Sequence, residues 1–208
     1  LVLWLGFIVQ RWRIRAFGLA ILTLAGLRLI ALETSVTLED FQLIANSRFP
    51  TFTIVIIAFY VGTYLYWKGR DRLEKWEGNL HLVLVGVANM FTLWMLSSEL
   101  ISFFSKRALD ARTVQAVQDA DNSLLLSLTS LWAIYGFALI AIALVKRSHV
   151  LRKLGLALLI ISVAKLIIVD TFALTRTAHS GFTPFINFYV LTFLIVLSAI
   201  IFSAYLYR

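Results

Sequence analysis

Long apolar stretches separated by short polar ones dominate this chain of 208 residues. They do not alternate with period two, so neither β-strands nor a transmembrane barrel is expected. Most approach the roughly 20 apolar residues that a helix needs to cross the hydrocarbon core. The pattern predicts an all-α polytopic transmembrane bundle with about six full spans and one truncated helix at its start. Its segments lie at about 1–10, 14–32, 50–67, 80–104, 124–145, 150–174 and 184–207.

Composition supports the membrane interpretation. Hydrophobic residues make up 61% of the chain and charged residues 14%, whereas soluble domains average about 45–50% and 25%. These values exclude an ordinary soluble domain, a disordered chain and a nucleic-acid-binding module. There is no cysteine, and His81, His149 and His179 lie far apart, so no thiolate site and no local metal-ligand spacing exist. We expect no cofactor, no metal, no catalytic residue and no nucleic-acid partner.

The net charge of +8 is interpreted as topology, because cytoplasmic loops collect Lys and Arg. The seven segments place 12 basic residues on one side and 5 on the other. This bias predicts a cytoplasmic C-terminus. The two sets are Arg11, Arg13, Arg15, Lys68, Arg70, Arg72, Lys75, Lys146, Arg147, Arg152, Lys153 and Arg208 against Arg48, Lys106, Arg107, Arg112 and Arg176.

Several helix ends can be predicted. Asp121-Asn122-Ser123 offers a cap for the fifth segment, and Thr183-Pro184 resembles a helix start for the seventh. The third segment starts at Phe49-Pro50, or begins nearer Glu39 and kinks at Pro50. Residues 106–120 extend the fourth helix or lie on the outer surface, and the sequence does not decide between these two.

An internal repeat is the strongest signal in the sequence. Residues 15–34 (RAFGLAILTLAGLRLIALET) match residues 152–171 (RKLGLALLIISVAKLIIVDT) at a constant offset of 137. The matched Arg15/Arg152, Gly18/Gly155 and Glu33/Asp170 positions are not explained by apolar composition. An even number of helices separates the copies, so we expect two parallel units, at 1–75 and 76–208. The first unit then lacks its first helix and the chain begins inside a helix, which predicts a longer protein with a missing N-terminal portion.

Charged residues inside the predicted spans are the candidate functional positions. Arg28 and Lys165 occupy equivalent places off the centre of their spans, and Glu33 and Asp170 follow five residues later. Five residues turn an α-helix by about 140° at 3.6 residues per turn, so pairing within one helix is expected to be poor. We predict cross-repeat pairs, Arg28 with Asp170 and Lys165 with Glu33, with Glu99 as a further partner. The alternatives are that each charge reaches the headgroups or pairs locally, or that the charges line an ion or substrate path.

Small and polar residues within the segments favour helix packing. Gly18 and Gly155 are expected to allow close helix approach. Asn89, Ser97 and Ser98 are expected to bond across helices, with a cavity lining as the less favoured alternative. The three histidines are expected near span ends.

One family resemblance rests on four pieces of the sequence. They are the Ser130–Gly136 stretch SLWAIYG, Arg152-x-x-Gly155-Leu156, Lys165-x-x-x-x-Asp170 and the closing Tyr205-Leu206-Tyr207-Arg208. They resemble the C-terminal end of a family of predicted bacterial membrane proteins of unknown function, family 2339. The loop from Thr175 to Pro184 departs from that family's pattern. The resemblance implies a long polytopic protein of the bacterial inner membrane, and it implies no activity.

Two functions remain open at the level of sequence. The first is a non-catalytic scaffold or subunit module of a larger envelope protein. Its partners would be the lipid bilayer and the missing N-terminal portion or other membrane subunits. The second is a transporter-like protein with a charged path between the two repeats, lined by Arg28, Glu33, Glu99, Lys165 and Asp170. An enzyme acting on lipid-linked substrates is the weakest alternative, because no polar constellation for it is found.

Overall fold

The structure, a computed structural model, describes residues 1–32, 41–170 and 188–207. Every regular element in these ranges is helical. The α-helices are α1 (Val2–Ile8), α2 (Trp12–Leu32), α3 (Arg48–Lys68), α4 (Leu80–Leu109), α5 (Val114–Val145), α6 (His149–Lys165) and α7 (Phe188–Tyr207). Short 3₁₀ turns lie at Arg70–Arg72 and Lys75–Glu77, and a π-turn at Leu166–Asp170 continues α6. The expected all-α class is confirmed for these ranges.

Four of the described helices are long and apolar enough to cross a membrane: Trp12–Ala31, Arg48–Lys68, Lys75–Leu109 and Val114–Val145. Only about a third or less of each span is buried within the chain. Large apolar side chains such as Ile54, Ile160 and Leu24 point outward, with exposed fractions of 65–68%. Such an outer surface is unfavourable in water and suits lipid.

The chain divides into two compact units, Leu1–Leu96 and Ser97–Arg208, and the division falls within α4. The repeat boundary predicted between residues 75 and 76 is a different division and stays a prediction. In the first unit, α2, α3 and the first half of α4 enclose an apolar core around Leu22, Phe52, Phe59 and Phe91. In the second unit, α5, α6 and α7 pack around Ala133, Ile140, Leu159 and Val196.

The helical hairpins α1–α2 and α5–α6 turn in the same way. Gln10 and Arg147 follow the first helix of each hairpin, with φ of 55° and 51°. A positive φ is uncommon for a residue with a side chain. A residue with positive φ commonly ends an α-helix and turns the chain back. Gln10 does so after α1 and Arg147 after α5, so the two helices of each hairpin lie side by side.

The predicted cap of α5 is wrong. Asp121, Asn122 and Ser123 lie inside α5, which begins at Val114. Thr113 caps the helix, and its side chain accepts a bond from the Ala116 N–H at 3.2 Å. Residues 106–120 therefore extend α4 as far as Leu109 and then begin α5. With 32 residues, α5 exceeds the roughly 20 of a span, so its polar first turns need not enter the apolar layer.

The two alternatives for Pro50 are resolved by the start of α3 at Arg48. Pro50 lies in the first helical turn, where the backbone N–H that proline lacks would have no partner in the helix. No kink is needed there. The predicted start at Thr183-Pro184 lies outside the described residues.

Candidate functional site

Lys165, the last residue of α6, is the centre of a buried polar cluster. Its Nζ atom lies 2.6 Å from Oδ1 of Asp170, 2.7 Å from Oγ1 of Thr129 and 2.9 Å from the carbonyl oxygen of Leu125. An ammonium group has three donors, and these three acceptors use all of them. We call these groups the Lys165 cluster.

Both oxygens of the Asp170 carboxylate accept hydrogen bonds. Oδ1 accepts from Lys165, and Oδ2 accepts from the Thr129 hydroxyl at 2.6 Å. The side chain of Asp170 is 1% exposed and that of Lys165 14%, while Thr129 is completely buried. Buried charges are tolerated when they are paired and hydrogen-bonded, and the cluster meets both conditions.

The π-turn explains how Lys165 meets Asp170. In a π-turn the backbone hydrogen bond joins residues that are five apart in the sequence. Side chains five residues apart therefore lie about one turn apart on the same face, as side chains four residues apart do in an α-helix. The expectation of poor pairing between Lys165 and Asp170 along their own helix is therefore wrong, because it assumed α-helical geometry up to residue 174, and the alternative of local pairing holds for these two residues. The predicted pair of Lys165 with Glu33 stays a prediction, because Glu33 lies outside the described residues.

The other predicted membrane charges lie elsewhere. Arg28 is exposed on α2, where its long side chain can reach the headgroup region. Glu99 is buried in α4 at 4% exposure and has an interaction partner. Asp170 uses both carboxylate oxygens within the second unit. Pairing of Arg28 with Asp170 remains a prediction.

A second buried ion pair joins Arg15 in α2 to Glu77 in the turn before α4. Nε and Nη2 of Arg15 lie 2.9 and 2.5 Å from the two carboxylate oxygens of Glu77. The two side chains are 3% and 0% exposed. This bidentate geometry is the strong form of an arginine–carboxylate contact. Oε2 of Glu77 also accepts from the backbone N–H of Glu74 at 3.1 Å.

Aromatic side chains surround the Arg15–Glu77 pair. The guanidinium carbon of Arg15 lies 5.4 Å from the ring centre of Phe7, and Phe7 meets Tyr66 edge to face at 5.0 Å. Tyr66 is fully buried. The pair thus fixes the start of α2 against the end of α3 and the turn before α4.

Glycines permit the closest helix contacts. A Cβ atom on Gly155 would lie 2.7 Å from the carbonyl oxygen of Gly136 and 2.7 Å from Cγ1 of Ile140, closer than real Cβ atoms approach. A Cβ atom on Gly18 would lie 2.9 Å from the backbone nitrogen of Leu3. Gly155 thus lies in the α5–α6 contact and Gly18 in the α1–α2 contact.

Ser97 and Asn89, two polar residues of α4, differ in whether the described bonds of their side chains reach another helix. The indole Nε1 of Trp132 in α5 donates to Oγ of Ser97 at 3.0 Å, which is a bond between helices. The side chain of Asn89 donates to the carbonyl of Val85 in its own helix at 2.7 Å, and Asn89 also has a further partner.

Two of the three histidines lie in the part of the chain that the structure describes. Among the described residues, no group of three or more His, Cys, Asp or Glu side chains lies close enough to hold a metal ion. His81 lies in the first turn of α4 and His149 begins α6. Both positions are helix ends, as predicted, and His179 lies outside the described residues.

These features define an all-helical integral membrane protein with ion pairs buried between its helices. The family model described as predicted membrane protein DUF2339 matches residues 43–181. The chain belongs to this family of unknown function, which confirms the resemblance of the sequence. Comparisons with curated proteins and with solved structures find no match.

The sequence does not predict the roles of Arg15, Glu77 and Thr129 in these ion pairs. Arg15 stands out only as a basic loop residue and as the match of Arg152 in the repeat, and nothing singles out Glu77 or Thr129. Glu74-x-x-Glu77 carries the spacing of a capping box, which would have indicated that Glu77 faces a helix start. A threonine between apolar residues of a span gives no comparable signal, because its hydroxyl can bond within its own helix.

Proposed function

We propose that this chain is a non-catalytic helical module of a larger envelope membrane protein, and that its buried ion pairs hold the helices in place. The observation that carries this proposal is the closed bonding of the Lys165 cluster. Three donors of Lys165 meet three acceptors, and both oxygens of Asp170 are occupied. A group that exchanges ions or protons works best with a free position, and here each N–H of the Lys165 ammonium and each oxygen of Asp170 already has a partner among the described residues.

Six full spans are part of the proposal. Besides the four long helices, the 17 residues of α6 continue into the five of the π-turn, which together match the roughly 20 residues of a span. The 20 residues of α7 match it as well. In this arrangement α1 is the truncated helix.

The proposed parallel repeat is supported by corresponding positions within each unit. Adding the offset of 137 to α1 and to the start of α2 gives the last residues of α5 and the start of α6. The positive-φ residues Gln10 and Arg147 differ by the same offset. The close contact of Gly18 with Leu3 corresponds to that of Gly155 with Ile140.

Location and partners complete the proposal. The excess of basic residues in the loops that precede α2, follow α3 and precede α6 supports a cytoplasmic C-terminus. The family resemblance supports the bacterial inner membrane. The proposed partners are the lipid bilayer and an N-terminal portion of the same protein or other membrane subunits.

Water access to the Lys165 cluster tests the scaffold proposal. The sequence contains no cysteine, so a cysteine introduced here is the only thiol in these residues. Ser162 is fully buried and lies close to one turn before Lys165. Ser162→Cys in the intact protein, in native membranes, is treated with a membrane-impermeant, charged thiol reagent from each side. We expect no labelling, because a packed interior admits neither water nor the reagent.

Two control variants bracket this measurement. Lys146→Cys lies in an exposed turn and should label fully from one side. Ile160→Cys, on the outer face of α6 with 68% exposure, should not label, because a lipid-facing thiol remains protonated and is not reached by a charged reagent. Labelling of Ser162→Cys at a rate near that of Lys146→Cys would contradict a packed scaffold.

The transporter alternative has one observation in its favour. π-turns inside α-helices frequently occur at functional sites, and this one carries Asp170. A path beside Lys165 and Asp170 would make the Ser162 thiol accessible, so the same labelling separates the two functions.

A further inference from the structure

A cleft of about 460 Å³ opens in the first unit where α1 ends, α2 begins and α3 ends. Its walls are formed mainly by residues outside the two ion pairs. Gly69 makes room for one of its walls, because a Cβ atom there would lie 2.6 Å from the ring of Phe7. A space of this size accommodates a small ligand.

The polar side of the cleft is basic. Arg15, Lys68 and Arg72 line it, and the acidic lining residue is Asp71. Asp71 lies 4.0 Å from Nε of Arg70, and both of these side chains are exposed. The charge of Arg15 is balanced by Glu77. Lys68 and Arg72 then face the single carboxylate of Asp71, so the cleft has a net positive charge and favours an anion.

Arg15 adds a buried donor to this side. Its bonds to Glu77 use Nε and Nη2, whereas a guanidinium has five N–H groups. The side chain is only 3% exposed and still lines the cleft, so an anion at its base would meet a positioned donor that water reaches poorly.

The other side of the cleft is apolar. Trp4, Phe7, Ile8 and Leu65 line it. Trp4 and Ile8 are 53% and 56% exposed, so the apolar wall continues onto the lipid-facing surface of α1. A ligand that matches both sides carries an anionic group joined to hydrocarbon.

Aromatic side chains place the cleft at headgroup depth. Trp12 and Trp76 meet edge to face at 6.2 Å beside the start of α2, and Tyr64 and Trp67 lie near the end of α3. All four are exposed. Tryptophan and tyrosine gather at the membrane–water interface, which is where phospholipid phosphates lie.

We propose that this cleft binds one anionic phospholipid. The phosphate lies among Lys68, Arg72 and Arg15, and an acyl chain follows Trp4 and Ile8 along α1. Basic pockets between transmembrane helices are suited to anionic headgroups. The site therefore assigns to this part of the chain a specific lipid partner beyond the bulk bilayer.

Native mass spectrometry of the intact protein in detergent tests the site, with phosphatidylglycerol and phosphatidylcholine as probes. The double variant Lys68→Gln/Arg72→Gln removes two exposed charges and leaves the Arg15–Glu77 pair intact. Lys146→Gln/Arg147→Gln removes the same charge from another exposed turn and serves as the matched control. A thermal melt of each variant verifies folding.

We expect binding of phosphatidylglycerol to weaken roughly fivefold for each charge removed, equivalent to about 1 kcal/mol per basic residue near an anionic lipid. The control should bind as the unchanged protein does. Asp71→Asn should bind up to about fivefold more tightly, because it removes the opposing charge. Phosphatidylcholine should bind weakly to all variants.

Three results would overturn the proposal. Equal weakening in both double variants would indicate a general effect of surface charge. Equal binding of phosphatidylcholine would remove the role of the anionic headgroup. Full displacement of the lipid by millimolar glycerol 3-phosphate would show that the cleft takes a soluble phosphate rather than a lipid.

Discussion

Lys165 and Asp170 lie five residues apart on one helical segment, and their charged atoms are 2.6 Å apart. The intervening π-turn, Leu166–Asp170, brings them together. Thr129 of α5 contacts both side chains. The pair is therefore local in sequence, yet it links two helices.

Removing one charge of this pair should destabilise the protein more than removing both. Asp170→Leu leaves the Lys165 ammonium buried without its counter-charge, and we expect a loss of about 3–5 kcal/mol. Lys165→Met/Asp170→Leu should recover most of that loss, because no buried charge remains. Chemical unfolding in detergent, followed by circular dichroism, measures both. A double variant that is as unstable as Asp170→Leu alone, or more so, would contradict this account.

The Thr129 hydroxyl should contribute through its bonds to both charged partners. Thr129→Val keeps the shape and removes the hydroxyl, and hydrogen bonds to charged groups are worth about 1.5–3 kcal/mol. Thr129→Ser keeps the hydroxyl and should lose less than Thr129→Val. The free energies of unfolding of the two variants provide the comparison, and a larger loss for Thr129→Ser than for Thr129→Val would assign the role to the methyl group instead.

The bidentate contact of Arg15 should not tolerate lysine. Arg15→Lys keeps the charge and loses the paired geometry with Glu77, and we expect a loss of about 1–3 kcal/mol from the missing hydrogen bond and packing. Arg13→Lys is the matched control, because Arg13 is exposed and such changes usually stay within about 0.5 kcal/mol. Thermal unfolding of the two variants tests the difference, and similar losses would contradict a specific role for the pair.

The α5–α6 contact should reject even one methyl group. Gly155→Ala places Cβ against the Gly136 carbonyl and Ile140, and overpacking typically costs about 1–3 kcal/mol. Gly86→Ala is the control, since nothing lies within 4 Å of its added Cβ atom. Alanine is preferred over glycine in a helix by about 1 kcal/mol, so the control should be neutral or stabilised. The melting temperatures of the two variants should therefore shift in opposite directions.

Those features of the fold that depend on long hydrophobic runs could be predicted from the sequence. The helical class, the membrane setting and the family follow from long apolar stretches and a few distinctive residues such as Trp132, Gly155 and Lys165. The positions of α2, α3 and α6 match the predicted segments within a few residues at each start. Helix starts among polar residues were harder, because Thr113 and Ser123 offer equivalent caps and tertiary packing decides between them.

The candidate site could be predicted only in part. Lys165 and Asp170 were singled out because a charge in a span is costly. Their pairing with each other was only the alternative of local pairing and not the leading prediction, because the π-turn alters the helical period and no single residue indicates it. Arg15 and Glu77 lie 62 residues apart, and without the fold nothing in their surroundings links them.

Pairing within one helix also affects how the chain enters the bilayer. An isolated basic residue near the middle of a helix costs about 2.5–3.5 kcal/mol during insertion. Lys165 and Asp170 emerge from the ribosome almost together and can neutralise each other before α7 exists. In the proposed arrangement of six spans, this segment partitions into lipid as a nearly neutral unit, and its insertion does not require a later helix to compensate the charge.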